Sequence, residues 1–281
     1  MGLHPVVLVT GAGGQVGTAL RARLGSARFM GRSELDVTDR KAVHNAVGVA
    51  DLVVHLAAMT NVDECEARPD AAFAVNADGT RHVAEAAAVA GARMVYVSTD
   101  YVFDGEKAGE YEEADAPSPI NVYGQSKLEG ERHVAAGEAN LTVRTSWIFG
   151  QGRNFVRTIL GAAGRGDPLR VVADQRGRPT WAEDLAAALA FLLERSVTGI
   201  VHVAGSGPTG SWADLAEVAL EAAGSSVRVE RIDSETHART AGRIVAPRPR
   251  NSALSLGRAV ALGVPIGDWR RSVRDYVGTL A

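Results

Sequence analysis

The stretch Val6-Val7-Leu8-Val9-Thr10-Gly11-Ala12-Gly13-Gly14-Gln15-Val16-Gly17 decides the fold. A short β-branched run leads straight into a glycine-rich turn, and the turn opens a helical pattern near Gln15–Leu24. Glycines at 11, 14 and 17 each answer a physical need. One permits the tight strand-to-helix turn, one lets the backbone approach a pyrophosphate, and one allows close packing of helix on strand. The helix N-terminus offers unpaired N–H groups and a partial positive charge to an anion. Glycine-rich turns occur in many loops, but this one follows a strand and opens a helix, the context that dinucleotide binding requires. Gly11, Gly13, Gly14, Gln15 and Val16 are therefore candidate cofactor contacts.

Working outward, candidate strands at Val6–Thr10, Leu52–Leu56, Met94–Ser98 and Leu141–Thr145 are nearly unbroken apolar runs. Strands buried on both faces of a parallel sheet have this pattern. Arg28–Met30 reads as a short, weak second strand. Helices are expected near Lys41–Val47, Ala71–Ala90 and Val122–Ala136. Strand-then-helix alternation means βαβ units in a doubly wound α/β sheet. After Gly150 the rhythm changes, with short strands at Leu169–Val172 and Ile200–Val203 and a helix over Ala182–Glu194. Ser211 reads as the N-cap of a helix reaching about Ala223, and the Arg- and Pro-rich segment from Arg239 to Arg250 as a loop. No repeat or flexible linker separates the halves. Residues 1–150 are expected to form a cofactor-binding domain and residues 151–281 a smaller α/β substrate lobe, with the chain free to cross between them.

Lys and Arg total 30 against 33 Asp and Glu, a formal net charge of −3. A general nucleic-acid or anionic-membrane binder needs a basic face, so neither partner is expected. The single cysteine, Cys65, excludes an intramolecular disulfide and a zinc site of several thiolates. Its neighbours Glu64 and Glu66 disfavour a thiolate. No apolar run approaches a membrane span, and the N-terminal run is too short for a signal peptide, so a cytoplasmic protein is expected. His55, in an apolar strand, reads as a satisfied core residue, and the other histidines lack ligand spacing.

Beyond the second strand, Gly31-Arg32-Ser33 stands where an acidic residue would grip an adenosine ribose. Arg32 is either a receiver of a 2′-phosphate or an ordinary surface arginine, so NADPH is favoured and NADH stays open. Asp36 and Val37 are placed to flank the adenine. Tyr123 and Lys127 stand four residues apart, on one face of a helix. A nearby ammonium favours the phenolate, which brings a tyrosine toward acid–base work near neutral pH. The pair alone is nonspecific. Thr99, however, lies at the carboxyl end of a strand, where ligands bind in an open α/β sheet, and its hydroxyl can hold a carbonyl oxygen beside the phenol.

These motifs give the chain a clear likeness. It resembles the extended short-chain dehydrogenase/reductases, and among them the dTDP-4-dehydrorhamnose reductase family, through the glycine loop, Leu56–Asp63, Val75-Asn76, Ser98–Gly105, Tyr123–Lys127, Arg144–Gly150 and Arg248–Ser252. The resemblance implies a Rossmann-type doubly wound parallel sheet, with Thr99, Tyr123 and Lys127 as the catalytic trio. Hydride would pass from the nicotinamide to the keto carbon at C4 of a dTDP-4-keto-6-deoxyhexose, and Tyr123 would deliver the proton. Leu56, Ala57, Ala58 and Asn76 would lie along the cofactor, and Asp100, Tyr101 and Trp147 along the sugar. Similar nucleotide-sugar 4,6-dehydratases carry an Asp-Glu pair after the strand-end threonine. Here Asp100 is followed by Tyr101, so reduction is expected rather than elimination. Some relatives hold Mg²⁺ at a dimer interface through an acidic residue where this chain has Ala19, so no metal is expected, and monomer and homodimer both stay open. Glu183 and Asp184 read as a solvated helical turn. Arg239, Arg243, Arg248 and Arg250 are either exposed charge or a clamp for the substrate's diphosphate, with Arg248 the substrate-binding candidate. An alternative is a non-catalytic regulatory subunit resembling the methionine adenosyltransferase beta subunit, against which the retained Thr99, Tyr123 and Lys127 weigh.

Overall fold

A computed structural model describes residues 5–242 and 244–280. The first half alternates strands and helices: β1 (Val7–Thr10), α1 (Gln15–Arg21), β2 (Arg28–Met30), α2 (Arg40–Val47) and β3 (Leu52–His55). Two short helices, α3 (Val62–Ala67) and α4 (Pro69–Phe73), then run through a π-helical turn at Ala74–Asp78 into α5 (Gly79–Ala90). β4 (Arg93–Thr99), a 3₁₀ turn at Asp100–Val102, α6 (Val122–Ala135) and β5 (Leu141–Thr145) complete it. The helix expected over Ala71–Ala90 is thus broken by the π turn, and α4 starts at Pro69, where a missing N–H costs nothing.

The second half contains β6 (Ile148–Phe149), α7 (Phe155–Gly164), β7 (Leu169–Val172), β8 (Arg176–Gly177), β9 (Thr180–Trp181), α8 (Ala182–Leu193) and β10 (Gly199–His202). It ends with β11 (Gly210–Ser211), α9 (Trp212–Ala222), β12 (Val229–Ile232), α10 (Ser234–Thr240), α11 (Gly257–Ala261) and α12 (Trp269–Gly278). Arg239 therefore lies on a helix rather than in the expected loop, and Arg243 lies outside the described residues.

Six parallel strands form the main sheet in the order β10-β5-β4-β3-β1-β2. Side chains alternate across it, which explains the unbroken apolar runs. Val9, Val54 and Val95 enter a core shared with α1 and α8. Their neighbours Leu8, Val53 and Met94 enter the opposite core, against α2 and α5. Neither face meets water, so neither face selects polar residues. The weak strand Arg28–Met30 is a genuine edge, paired with β1 in parallel. From the second half, α8 packs on α1 and β10 pairs with β5, so the chain returns to the first sheet before building the rest. The remaining elements close over Phe149, Leu215, Trp269 and Tyr276 as a separate core. Among the described residues, no helix is long and apolar enough to cross a membrane.

The strand order reverses direction beside β1, between β3 and β2, so a crevice opens at the carboxyl ends of β1 and β3. Helix α6 borders the carboxyl end of β4, and a buried ion pair ties it to β5. Arg144 donates from Nε to Glu131 Oε1 at 2.9 Å and from Nη2 to Oε2 at 2.7 Å. The side chains are only 2% and 6% exposed, so loss of one partner would leave a charge that water cannot reach. Glu131→Leu is expected to cost about 3–5 kcal/mol in chemical denaturation, and the added change Arg144→Met to return part of that loss. A double variant less stable than the single would contradict this.

Candidate active site

At the end of β1 the chain turns through Gly11, whose φ is +67°. A Cβ there would lie 2.5 Å from the Ala57 nitrogen, so this loop and the one after β3 cross backbone to backbone. Gly17 packs equally close, since its Cβ would lie 2.7 Å from the Ala12 Cα. Asp39, Asn61, Asn121 and Ser211 cap α2, α3, α6 and α9 with their side chains. Gly14 gives α1 no side-chain cap, and its first turn contains no acidic residue. The first amides of α1 therefore stay available, with their partial positive charge, beside a cleft of about 960 Å³.

Gly11, Gly13, Gly14, Gln15 and Val16 line that cleft, with Leu56, Ala57 and Ala58 across from them. Arg32, Asp36 and Val37 stand at the adenine end proposed from sequence. Asp36 is held below the usual carboxylate range by the amide and hydroxyl of Thr38, at 3.0 and 2.8 Å. The sequence pattern gave Arg21 and Glu34 no role and placed Ser33 only beside Arg32. With Gly13 and Arg32 they line a second, adjoining hollow outside β2. The Arg21 guanidinium lies 4.6 Å from the Phe29 ring centroid, so two arginines flank this end. The spacing of Arg21 on α1 carried no signal, because its neighbour across the turn comes from another βα unit.

Asn76 sits elsewhere. It is fully buried and does not line the cleft; its side chain accepts from Met59 N at 2.8 Å and donates to Met59 O and Ser126 Oγ, both at 3.0 Å. Ser126 Oγ in turn donates to Tyr123 O at 2.9 Å. Asn76 thus pins the loop after β3 to the first turns of α6. This buried amide within the π turn holds backbone, and the sequence pattern alone cannot distinguish that from a ligand contact.

Thr99, Tyr123 and Lys127 come together in the same cleft. Thr99 ends β4, with its Oγ1 donating to Asp100 Oδ1 at 3.0 Å and accepting from Tyr101 N at 3.1 Å. Tyr123 lies in the first turn of α6, which Asn121 caps by accepting from Gly124 N at 2.8 Å. Burial pushes the Tyr123 phenol up, and a hydrogen bond with Thr99 pulls the other way. Burial also pulls Lys127 down to about 7. Its Nζ donates to Val97 O at 2.8 Å and lies 4.0 Å from the Tyr96 ring centroid. The expectation that the ammonium lowers the phenol is therefore corrected: desolvation governs both groups, and Tyr123 keeps its proton.

Beside the trio, Asp100 is pushed up to about 7 by burial, against the pull of the Ser252 and Thr99 hydroxyls. Tyr101, Trp147 and Arg248 also line the cleft. Arg248 Nη2 donates to Asp63 Oδ1 at 2.7 Å, so this arginine arrives already paired. The four-arginine clamp does not form. Arg239 is exposed beside Glu235, Arg250 is exposed outside the cleft, and Arg248 alone of those described reaches it. Arg68 and Arg153, both missed in the sequence, line it instead.

Three quieter residues are also placed. His55 meets Thr10 Oγ1 at 2.7 Å and Thr80 Oγ1 at 3.1 Å, and burial pulls it down to about 3, a neutral core residue. Cys65 is fully buried and pushed up to about 11 by burial and by Glu64 and Glu66. Asp184 is half-buried and accepts from Ser272 Oγ, and Glu183 is half-buried with Arg23 Nη2 3.9 Å from its carboxylate, so the expected solvated turn is only partly exposed.

The arrangement joins an anion-binding helix end, a protonated phenol, a strand-end hydroxyl and a lysine poised near neutrality. Such a set can bind a dinucleotide and deliver a proton to a developing oxyanion. The family model described as the RmlD substrate binding domain matches residues 5–281. The dTDP-4-dehydrorhamnose reductase of Sinorhizobium fredii is 39% identical over 291 residues, spanning 97% of this chain and 96% of its own. That of Mycolicibacterium smegmatis is 38% identical, over 98% of this chain and 85% of its own. The crystal structure of the Bacillus anthracis dTDP-4-dehydrorhamnose reductase in complex with NADP superposes with a TM-score of 0.91 at 32% identity, over 99% of each chain.

The Lys127 shift makes stability depend on pH. Its folded value of about 7 lies below the ordinary 10.5, so the unfolded chain binds the extra proton between the two. Stability should therefore rise with pH across that window, by up to roughly 1.4 kcal/mol per pH unit, relative to Lys127→Met. Denaturation of both proteins at several pH values checks the sign; parallel curves would contradict it.

Proposed function

Because the chain belongs to the RmlD substrate binding domain family, that of the dTDP-4-dehydrorhamnose reductases, we propose that it reduces the C4 keto group of a dTDP-4-keto-6-deoxyhexose with NADPH. It is an NADPH-dependent oxidoreductase of nucleotide sugars, serving deoxysugar synthesis. The observation that carries this reading is the meeting of Thr99, Tyr123 and Lys127 in the cleft that the uncapped end of α1 borders.

The residues present fit the cofactor. Gly11 and Gly14 let the backbone approach a pyrophosphate, and the free amides of α1 receive its charge. Arg32, with Arg21 and Ser33 beside it, supports a 2′-phosphate in the hollow outside β2. NADPH, when bound, supplies the hydride for the keto carbon. Tyr123, kept protonated by burial, donates the proton that converts the developing alkoxide into a hydroxyl. Thr99 Oγ1 orients that oxygen against the phenol. Lys127, tied to Val97 O and close to neutrality, is assigned to the nicotinamide ribose, as the family resemblance implies. Asp100, Tyr101, Trp147 and Arg248 are assigned to the sugar nucleotide. The second carboxylate that elimination needs is replaced by Tyr101, whose phenol burial pushes up.

The family assignment and the intact trio leave the regulatory-subunit reading without support. A lone, fully buried thiol is compatible with a reducing compartment, which supports a cytoplasmic location for this activity.

Purified protein mixed with NADPH and a panel of dTDP-4-dehydro-6-deoxyhexoses should consume nicotinamide absorbance only when sugar is present. Tyr123→Phe should lower kcat about 10²- to 10⁴-fold while NADPH still binds. No sugar-dependent oxidation with any member of the panel would overturn the reading.

A further inference from the structure

Two indoles lie face to face beside the cleft. Trp147, just after β5, and Trp212, the first residue of α9, have ring centroids 4.0 Å apart and planes 7° from parallel. Both line the cleft. Trp147 has a φ of +46°, the only positive value for a non-glycine among the described residues. An L side chain holds that backbone region only when its surroundings over-determine it.

Three contacts do so. Thr180 N donates to Trp147 O at 3.2 Å. Gly177 yields the space, since a Cβ there would lie 2.6 Å from Cε2 of the ring. Trp212 covers a face of the indole. Trp147 is 9% exposed, and its Nε1 has no hydrogen-bond partner. A buried donor in a cleft wall is costly unless something in the cleft accepts from it.

Trp212 is itself fixed. Its Nε1 donates to Gln175 Oε1 at 3.1 Å, and Gln175 Nε2 donates to Ser234 Oγ at 2.9 Å. A capping box of Ser211 and Asp214 sets the first turn of α9, and the Phe155 ring lies 4.9 Å away on centroids. The order of constraint runs from the second lobe through Trp212 to Trp147.

We propose that Trp212 is a positioning residue for the sugar end of the reaction: by stacking on Trp147 it holds that strained residue so that its indole N–H donates to an oxygen of the sugar nucleotide. The inference rests on the reductase reading above. It names one residue of the second lobe as a determinant of sugar affinity and not of cofactor affinity.

Steady-state kinetics on the full chain, with NADPH affinity measured separately by nicotinamide fluorescence, tests it. Trp212→Leu should raise the KM for the keto sugar about tenfold, equivalent to about 1.4 kcal/mol, and leave NADPH affinity unchanged. Trp212→Phe, which keeps an aromatic face, should recover most of that loss. In a Trp147→Phe background, which lacks the N–H, Trp212→Leu should add little, because the two changes break one device. If Trp212→Leu does not fold, Gln175→Leu removes the acceptor that fixes Trp212 and should raise the same KM about threefold. Equal losses in sugar and NADPH affinity, or penalties that multiply in the double variant, would overturn the proposal. Failure of the wild-type protein to oxidise NADPH with any of the keto sugars would overturn the reductase reading and this inference with it.

Discussion

The rest of the structure depends on one close approach, the backbone crossing of Gly11 over Ala57. A Cβ at Gly11 would lie 2.5 Å from the Ala57 nitrogen, so the loops after β1 and β3 meet with nothing between them. This contact lies at the carboxyl edge of the sheet, where its strand order turns back. It leaves the first amides of α1, uncapped by any side chain, beside the cleft. Everything proposed for catalysis is then a matter of distance from that helix end. β4 delivers Thr99 and α6 delivers Tyr123 and Lys127, with Asn76 and Ser126 holding the loop and the helix together.

Desolvation sets the protonation states here more than neighbouring charge does. Burial raises Tyr123 and Asp100 and lowers Lys127, so a phenol, a carboxyl near 7 and an amine near 7 share one wall. A proton donor that stays loaded suits reduction, where a hydroxyl must form at the keto oxygen. Tyr101 in place of a second carboxylate fits the same conclusion, because elimination would require another charged acid–base group at the sugar.

Legibility in the sequence followed locality. The inner strands of the main sheet carried their own signal, because burial on both faces leaves a nearly unbroken apolar run; the partly exposed edge at Arg28–Met30 read only as a weak strand, and it pairs with β1 as expected. The glycine loop was legible because its requirements lie within a few residues. The spacing of Tyr123 and Lys127 misled, since it shows that two side chains share a helix face and says nothing of their burial or of the Val97 carbonyl that claims the amine. Arg239, Arg248 and Arg250 looked like one cluster along the chain, yet the fold sends Arg248 alone of these to the cleft. Trp212 and Arg21 carried no signal, because their neighbours, Trp147 and the turn at Arg32, come from distant segments. Local chemistry was readable; contacts between segments distant in the chain were not.

The central claim is that hydride reaches the sugar's C4 from the nicotinamide while this chain supplies the proton. Turnover of a dTDP-4-keto-6-deoxyhexose with NADPH deuterated at the transferable C4 position, followed by NMR of the product, tests it directly. The account expects deuterium bound at C4 of the sugar, in one configuration, with the hydroxyl proton drawn from solvent. Deuterium retained in the oxidised cofactor with no label in the sugar, or label at any other sugar carbon, would contradict it.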